Sequence, residues 1–235
     1  MTTRLWWVRP ENFQASPAAL ALLNDEERQQ QQRFIPPAKK HEFLVTRVLV
    51  RSVLGEMLGM APDSLAFVRN EWGRPALAPE LVTTPLHFNI SHTDGLVVCL
   101  VSNEHELGVD TEQLSRAPTL LKLAANVFAA DELNALGQLP DHEKEQRAVD
   151  LWTLKESYIK ARGMGLALPL DGFAFHFEPD GIRLEIAPEL NDDGANWAFQ
   201  TRMLGSHIIS TALALQGQDK SSASIIQFCE FHRTD

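Results

Sequence analysis

Two separated stretches carry the residues best suited to chemistry, Leu107-Gly-Val-Asp-Thr-Glu112 and Trp152-Thr-Leu-Lys-Glu-Ser-Tyr-Ile-Lys160. In the first, Leu107 and Val109 alternate with Gly108 and Asp110, so it reads as a strand running into a loop, with Asp110 and Glu112 on one side. The second reads as a helix that Gly163 can end. Glu156 and Lys160 are four residues apart on it and share a face. Asp110, Glu112 and Glu156 form an oxygen donor set for a hard divalent cation. Magnesium sites of this kind combine a few carboxylates with substrate phosphates, and the adjacent lysines suit a phosphate-bearing substrate. Each piece also has a plainer reading: Glu156 and Lys160 as a surface ion pair worth a few tenths of a kcal/mol, roughly, Asp110 and Glu112 as a polar loop after a buried strand.

Further segments add donors. Ser91 and His92 close the extended run His87-Phe-Asn-Ile-Ser-His92 and can donate to phosphate oxygens. In Trp72-Gly-Arg-Pro75, the glycine allows close backbone approach and the guanidinium suits a phosphate or a purine face. Between Arg28 and Arg51 six basic residues (Arg28, Arg33, Lys39, Lys40, Arg47, Arg51) face Glu42 alone. That stretch could hold a phosphate or an acidic partner, or be a solvated helix face.

The elements that must position these residues follow from periodicity. A strand is expected over 5–8, a helix from Pro17 to about Phe34 broken by Pro36-Pro37, and a strongly periodic helix over 43–58 stopped by Gly59. Strands over 64–69, 86–90 and 96–102 follow, with a Ser-His-Thr-Asp-Gly loop between the last two. Helices near 120–126, 131–137 and 150–162 precede strand-like segments at 171–177, 196–204 and 207–215. At a constant shift of 108 residues, Asp63 meets Asp171, Ala66 meets Ala174, Phe67 meets Phe175 and Gly73 meets Gly181. The chain therefore reads as an α+β protein with a pseudo-twofold duplication. Each half is an antiparallel sheet packed with a long helix, the halves span 1–107 and 108–235, and the site lies in the cleft between them. The first half offers basic residues and a histidine, the second the carboxylates. The tail from Gln216 is polar, with an apolar patch at Ile225-Ile226.

Composition narrows the class. The 235 residues are 44% hydrophobic, enough for a sizeable core. No run approaches the roughly 18 apolar residues that span a membrane, and the first ten residues carry no signal-peptide pattern. A net charge of −10 argues against general nucleic-acid binding. Two cysteines, Cys99 and Cys229, make neither a disulfide framework nor a zinc quartet. The zinc-protease pattern fails because Val45 and Gln146 stand where His41-Glu42 and His142-Glu143 would need a second histidine. A cytoplasmic enzyme fits these features.

Taken in order, Gly-Arg-Pro75, Phe-Asn-Ile-Ser-His92, Gly-Val-Asp-Thr-Glu112 and Trp-Thr-Leu-Lys-Glu-Ser-Tyr-Ile-Lys160 resemble the phosphopantetheinyl transferases of the surfactin-synthetase-activating type. The resemblance runs from about residue 40 to 230. It implies transfer of 4′-phosphopantetheine from coenzyme A to a serine of an apo acyl, peptidyl or aryl carrier protein, with release of adenosine 3′,5′-bisphosphate. It further implies magnesium and a monomer with coenzyme A in the cleft of its pseudo-dimer. By residue, it makes Asp110, Glu112 and Glu156 the metal ligands. Ser91 and His92 become contacts to coenzyme A phosphates, Gly73, Arg74 and Pro75 neighbours of the adenine nucleotide, and Lys160 a pyrophosphate contact. Lys39 and Arg47 match 3′-phosphate contacts of some members. Arg74 replaces the commoner lysine, and Gln30 is neutral where some members are basic. Glu156 and Lys160 are the expected catalytic pair, with Glu156 a candidate for taking the serine proton. Carrier proteins of this class are acidic, so Arg51 and the Phe34–Lys40 loop are candidate docking contributors. Two rival readings are a non-catalytic coenzyme A or carrier-binding module and a metal-dependent coenzyme A pyrophosphate hydrolase.

Overall fold

The computed structural model describes residues 3–82, 85–215, 217 and 226–232. The first half runs β1 (Thr3–Val8), α1 (Pro17–Ala21), α2 (Asp25–Arg33), α3 (Pro37–Leu58), the hairpin β2 (Phe67–Arg69) and β3 (Pro75–Leu77), then β4 (His87–Thr93) and β5 (Leu96–Ser102). The second runs β6 (Leu107–Gln113), α4 (Ala117–Val127), α5 (Ala130–Gln138), α6 (Asp141–Arg162), the hairpin β7 (Phe173–Glu178) and β8 (Gly181–Ile186), then β9 (Trp197–Leu204) and β10 (His207–Ala214). The plan is the same in both: a strand, a long helix, a hairpin and a strand pair. The sheets match too, ordered β1-β5-β4 and β6-β10-β9 with antiparallel neighbours. The duplicated α+β architecture expected from the sequence is what the chain adopts. The repeat opens with a strand in both halves.

Local chemistry sets several boundaries differently from the periodicity. The single helix expected over 17–34 is two, because Asn24 accepts from the Glu27 amide while Glu27 bonds back to the Asn24 amide, a capping box that starts α2 afresh. The next helix begins at Pro37, where proline at the first position needs no N–H partner. The helix expected over 150–162 begins nine residues earlier, at Asp141. Both α3 and α6 are 22 residues long and stop at a glycine with φ 64°, Gly59 and Gly163. The strand expected over 64–69 shrinks to Phe67–Arg69, with Ser64 in a preceding 3₁₀ turn. The expected loop after Ile90 is strand: Ser91, His92 and Thr93 pair with Val98, Val97 and Leu96. In the tail, β11 (Ile226–Glu230) lies parallel to β1 as a fourth strand. Ile225 falls outside the described residues.

Each half has its own apolar core, and a third cluster joins them. Leu5, Leu96, Val98 and Leu100 from the first half meet Leu107, Val109, Ile209 and Leu213 from the second, all essentially inaccessible. Cys99 is buried in the first half's core, as expected, and burial pushes its thiol up to about 12.

Each half also buries one cation at the same point of its long helix. Arg51 donates to Glu27 Oε2 from Nε (3.0 Å) and Nη2 (2.8 Å), and from Nη1 to the carbonyls of Pro62 and Leu65. Lys155 lies at the equivalent position, with α6 starting at 141 and α3 at 37. It donates to Glu132 at 2.8 Å and to the carbonyls of Leu170 and Phe173 at 2.7 Å. Each carboxylate also accepts the amide that opens its own helix, that of Asn24 or Ala129. The cations thus tie the preceding helix, the long helix and the segment entering the hairpin into one unit. Arg51, being fully buried, is withdrawn from any role in docking a partner. Removing one member of such a pair strands the other, so Lys155→Met is expected to lower stability by about 3–5 kcal/mol in denaturant unfolding. Lys155→Arg, the other half's own solution, is expected to cost much less.

Candidate active site in the cleft between the halves

The site starts from a close approach. A Cβ on Gly108 would run into the Ser157 carbonyl oxygen and the Ala161 amide nitrogen, so β6 lies directly against α6 only because residue 108 has no side chain. Two residues further along, Asp110 reaches the face of α6 that carries Glu156 and Lys160. Lys160 Nζ donates to Asp110 Oδ1 at 2.6 Å and to Ser91 Oγ at 2.9 Å, and Ser91 Oγ donates to the same carboxylate oxygen at 2.7 Å. Asp110 and Ser91 are buried, whereas Lys160 keeps part of its surface open. No described residue is recorded as a hydrogen-bond donor to the Glu156 carboxylate. Burial pushes Glu156 above the usual carboxylate range, Asp110 adds repulsion, and Lys160 opposes both.

The first half supplies a polar seam along β4. Asn89, Ser91 and Thr93 alternate along the strand and all reach β6. Asn89 Oδ1 accepts the Val109 amide at 3.0 Å, Ser91 donates to Asp110, and Thr93 Oγ1 donates to Glu112 Oε1 at 2.8 Å. Asn89 and Thr93 were missed in the sequence reading. The period-two placement of polar residues between Phe88, Ile90 and His92 was the available signal. Glu112 Oε1 also accepts the Gln113 amide, and Oε2 lies 3.5 Å from Arg116 Nε.

A cleft of about 270 Å³ opens beside these groups, lined by Trp72, Gly73, Arg74 and Pro75 of one half and by Glu156, Ile159 and Lys160 of the other. The Gly-Arg-Pro segment therefore faces Glu156 and Lys160. Arg74, however, spends its guanidinium on protein: Nη1 donates to the Ala161 carbonyl at 2.7 Å and Nη2 to the Leu107 carbonyl at 3.0 Å. Asn70 reinforces the contact by donating to the Gly163 carbonyl. Arg74 is thus a clamp on the C-terminal end of α6, where cations are favoured, and its charge is not free for a nucleotide. Lysine, with a single nitrogen, could not reproduce this fork.

The other basic residues divide. His92 Nδ1 lies 3.1 Å from Glu42 Oε1, and Lys39 Nζ lies 3.0 Å from Glu42 Oε2 and 2.8 Å from Asp94. Lys39 and His92 thus converge on one carboxylate beside the outer end of β4. Arg47 goes elsewhere: its Nε is 3.8 Å from Glu27 and its guanidinium lies over the Phe43 ring. Burial lowers its pKa, and it joins the Glu27–Arg51 group.

Asp110, Glu112 and Glu156 are the chemical type that a hard cation selects. Among the described residues, Oδ2 of Asp110 and both oxygens of Glu156 accept no hydrogen bond, and Asp110 repels the Glu156 carboxylate. Among the described residues, no three acidic, histidine or cysteine groups already converge as a metal cage. Lys160 occupies one Asp110 oxygen, and Glu112 is turned to Thr93. The donors are oxygens of the kind magnesium takes, though the three carboxylates are not gathered around one point.

A duplicated α+β chain whose halves enclose two carboxylates, a lysine and a nucleotide-sized cleft defines a class of phosphate-handling transferase, and comparison with known proteins gives the family. Residues 106–212 match the model of the 4′-phosphopantetheinyl transferase superfamily, and residues 5–105 match that of the 4′-phosphopantetheinyl transferase N-terminal region. The chain is 35% identical over 180 residues to the 4′-phosphopantetheinyl transferase HetI of Nostoc sp., covering 73% of this chain and 76% of that one. It is 32% identical over 184 residues to Sfp of Bacillus subtilis, covering 78% of each, and 31% identical over 202 residues to the putative transferase slr0495 of Synechocystis sp., covering 81% and 82%. The chain belongs to the 4′-phosphopantetheinyl transferase superfamily, whose activity, transfer of phosphopantetheine to carrier proteins, is its function.

One carboxylate of α6 lies outside the cleft lining and has a separate consequence. Asp150 is buried, with Arg147 as its compensating charge, and burial pushes it up to about 6. Because the folded-state value is raised, the stability is fully present below roughly pH 4 and is lost as pH rises towards 6. Asp150→Asn is therefore expected to stabilise the chain by up to about 3 kcal/mol at pH 7.5 and by only about 1 kcal/mol at pH 4.5. Urea unfolding at the two pH values checks it; a gain independent of pH would contradict the burial account.

Proposed function

We propose that the chain moves 4′-phosphopantetheine from coenzyme A to a carrier serine with magnesium, and that Asp110, Glu112, Glu156 and Lys160 carry the reaction. One observation supports this above the rest: Lys160 of one half and Ser91 of the other meet on a single oxygen of Asp110, with Glu156 beside it and the cleft open in front. When bound by Asp110, Glu112 and Glu156, magnesium supplies neutralisation of the pyrophosphate charge.

The chain's own groups do the remainder. The carrier serine oxygen forms a bond to the β-phosphorus of coenzyme A while the bond to the bisphosphate oxygen breaks. Positioning and charge neutralisation are the main demands of such a transfer. Glu156 lies in the cleft with no recorded donor on its carboxylate, and burial raises its proton affinity, which suits it to accept the serine proton. Lys160 takes the charge appearing on the leaving bisphosphate, exchanging its hold on Asp110 for a phosphate oxygen. Ser91 keeps Asp110 in place while it does so. His92 and Lys39 meet the outer phosphates of coenzyme A. The Trp72–Pro75 segment walls the nucleotide, with Arg74 fixing its position. Ile35, 90% exposed in the turn before α3, is the docking contribution of the Phe34–Lys40 segment to the carrier. Both halves of one chain complete the cleft, so the enzyme works as a cytoplasmic monomer.

Glu156→Gln is expected to leave the fold intact, by circular dichroism, and to lower transfer by about 100-fold or more. The readout is intact-mass analysis of an apo carrier after incubation with coenzyme A and magnesium; near-normal turnover would remove both roles of Glu156. Asp110→Ala is expected to raise the magnesium concentration for half-maximal rate at least tenfold, on the order of one lost charged ligand. An unchanged requirement would remove Asp110 from the ligand set.

A further inference from the structure

The first half contains a buried carboxylate to which the function gives no task. Glu42 sits on the inner side of α3, 7% exposed. Its Oε1 lies 3.1 Å from His92 Nδ1, and Lys39 Nζ bonds both of its oxygens, at 3.2 Å and 3.0 Å. His92 belongs to β4 and Lys39 to the first turn of α3, so Glu42 is the point where the helix and the strand exchange charge. The two groups it holds are the ones assigned to the outer phosphates.

We propose that Glu42 is a positioning residue for coenzyme A. It fixes the His92 ring with Nδ1–H turned to the carboxylate and makes Nε2 a hydrogen-bond donor to the anion. The inference rests on the transferase reading. The chemistry follows from the two ring nitrogens. A neutral imidazole that gives Nδ1–H to Glu42 has only a lone pair at Nε2, which repels a phosphate oxygen. Protonation places a second N–H there, and an adjacent buried carboxylate stabilises the imidazolium. Among the described residues no group is recorded on Nε2. Other charges near the ring are Lys39, on α3 with Glu42, which disfavours the imidazolium, and Asp94, in the β4–β5 turn, which holds Lys39 at 2.8 Å. Burial would push Glu42 up, but His92 and Lys39 outweigh it and bring Glu42 below the usual carboxylate range, so it stays charged. Glu42 also keeps Lys39 against the body of α3 when a phosphate displaces the exposed Asp94.

Three measurements test this. The first needs no substrate: the His92 ring is titrated by NMR in the ligand-free chain and in Glu42→Gln. The inference expects the variant ring to give up its proton more readily than the wild-type ring; an unchanged titration overturns it. The second is the pH dependence of kinetics with coenzyme A and an apo carrier. In Glu42→Gln, KM for coenzyme A is expected to rise about tenfold at pH 7.5, more than kcat falls, and to approach the wild-type value at pH 6. A rise that is equal at both pH values, or a loss confined to kcat, marks a merely structural role and overturns the inference. The third is non-additivity: in a His92→Gln background, Glu42→Gln is expected to add less than twofold to KM, roughly the residual effect through Lys39. Full additivity overturns it. Wild-type chain that neither binds nor uses coenzyme A would instead refute the transferase reading, an outcome separable from the His92 titration.

Discussion

The structure of the site depends on the absence of one methyl group. Gly108 lets the backbone of β6 touch the backbone of α6 at Ser157 and Ala161. Everything that follows on β6 inherits that spacing: Val109 donates the seam bond to Asn89, Asp110 meets Lys160, and Glu112 reaches Thr93. An alanine at 108 would have to separate strand from helix, and a shift of about 1 Å is enough to spoil a catalytic arrangement. The glycine in Gly-Val-Asp-Thr-Glu is therefore a packing requirement of the carboxylates, and it explains why strand and helix motifs come as a pair.

Duplication makes the chemical asymmetry of the halves measurable. The buried cation recurs, as Arg51 and as Lys155, with the same carboxylate and two-carbonyl partners. It belongs to the shared framework. The reactive groups do not recur. At the offset that superposes α3 on α6, starting at 37 and 141, positions 110, 112, 156 and 160 correspond to Trp6, Val8, Ser52 and Glu56. None of the three acids recurs at those positions. The first half contributes instead the outward seam of β4 and the clamp of Asn70 and Arg74 on the end of α6. One half carries Asp110, Glu156 and Lys160, and the other braces the elements that present them.

The sequence conveyed the duplication and the polar residues of β6 and α6 that line the seam between the halves because both have short-range signatures: period-two and i, i+4 spacing for Asp110, Glu112, Glu156 and Lys160, and repeated turn residues for the hairpins. It conveyed the partners of cations poorly. Arg47, Arg51 and Arg74 look alike as positive charges in sequence. In the fold Arg51 is spent on Glu27 and two carbonyls, Arg47 packs beside them over Phe43, and Arg74 closes a helix end. Those fates depend on contacts that reach up to 87 residues along the chain, which no local pattern encodes. The extra turns of α6 and the split of the first helix were hidden for the opposite reason. Polar stretches such as Asp141–Arg147 have weak apolar periodicity, and a single Asn24 cap decides a boundary that periodicity smooths over.

These fates also bear on how a chain of net charge −10 can hold a ligand rich in phosphate. The basic run from Arg28 to Arg51 does not form an open positive field, since Arg28, Lys39, Arg47 and Arg51 each lie against an acid of the fold. What differs among them is the cost of exchange. Arg51 would leave a buried Glu27 unpaired, a penalty of several kcal/mol, about the worth of a phosphate contact. Lys39 can leave Asp94, which is 80% exposed and returns to water almost without loss, and still keep Glu42. Lys160 is similarly partly open, and its partner Asp110 retains Ser91 when it turns away. Cations paired to one replaceable and one permanent acid are positioned before the ligand arrives and can still be recruited by it. In an acidic chain, that arrangement selects for a polyphosphate that reaches several such pairs at once over a single anion meeting one.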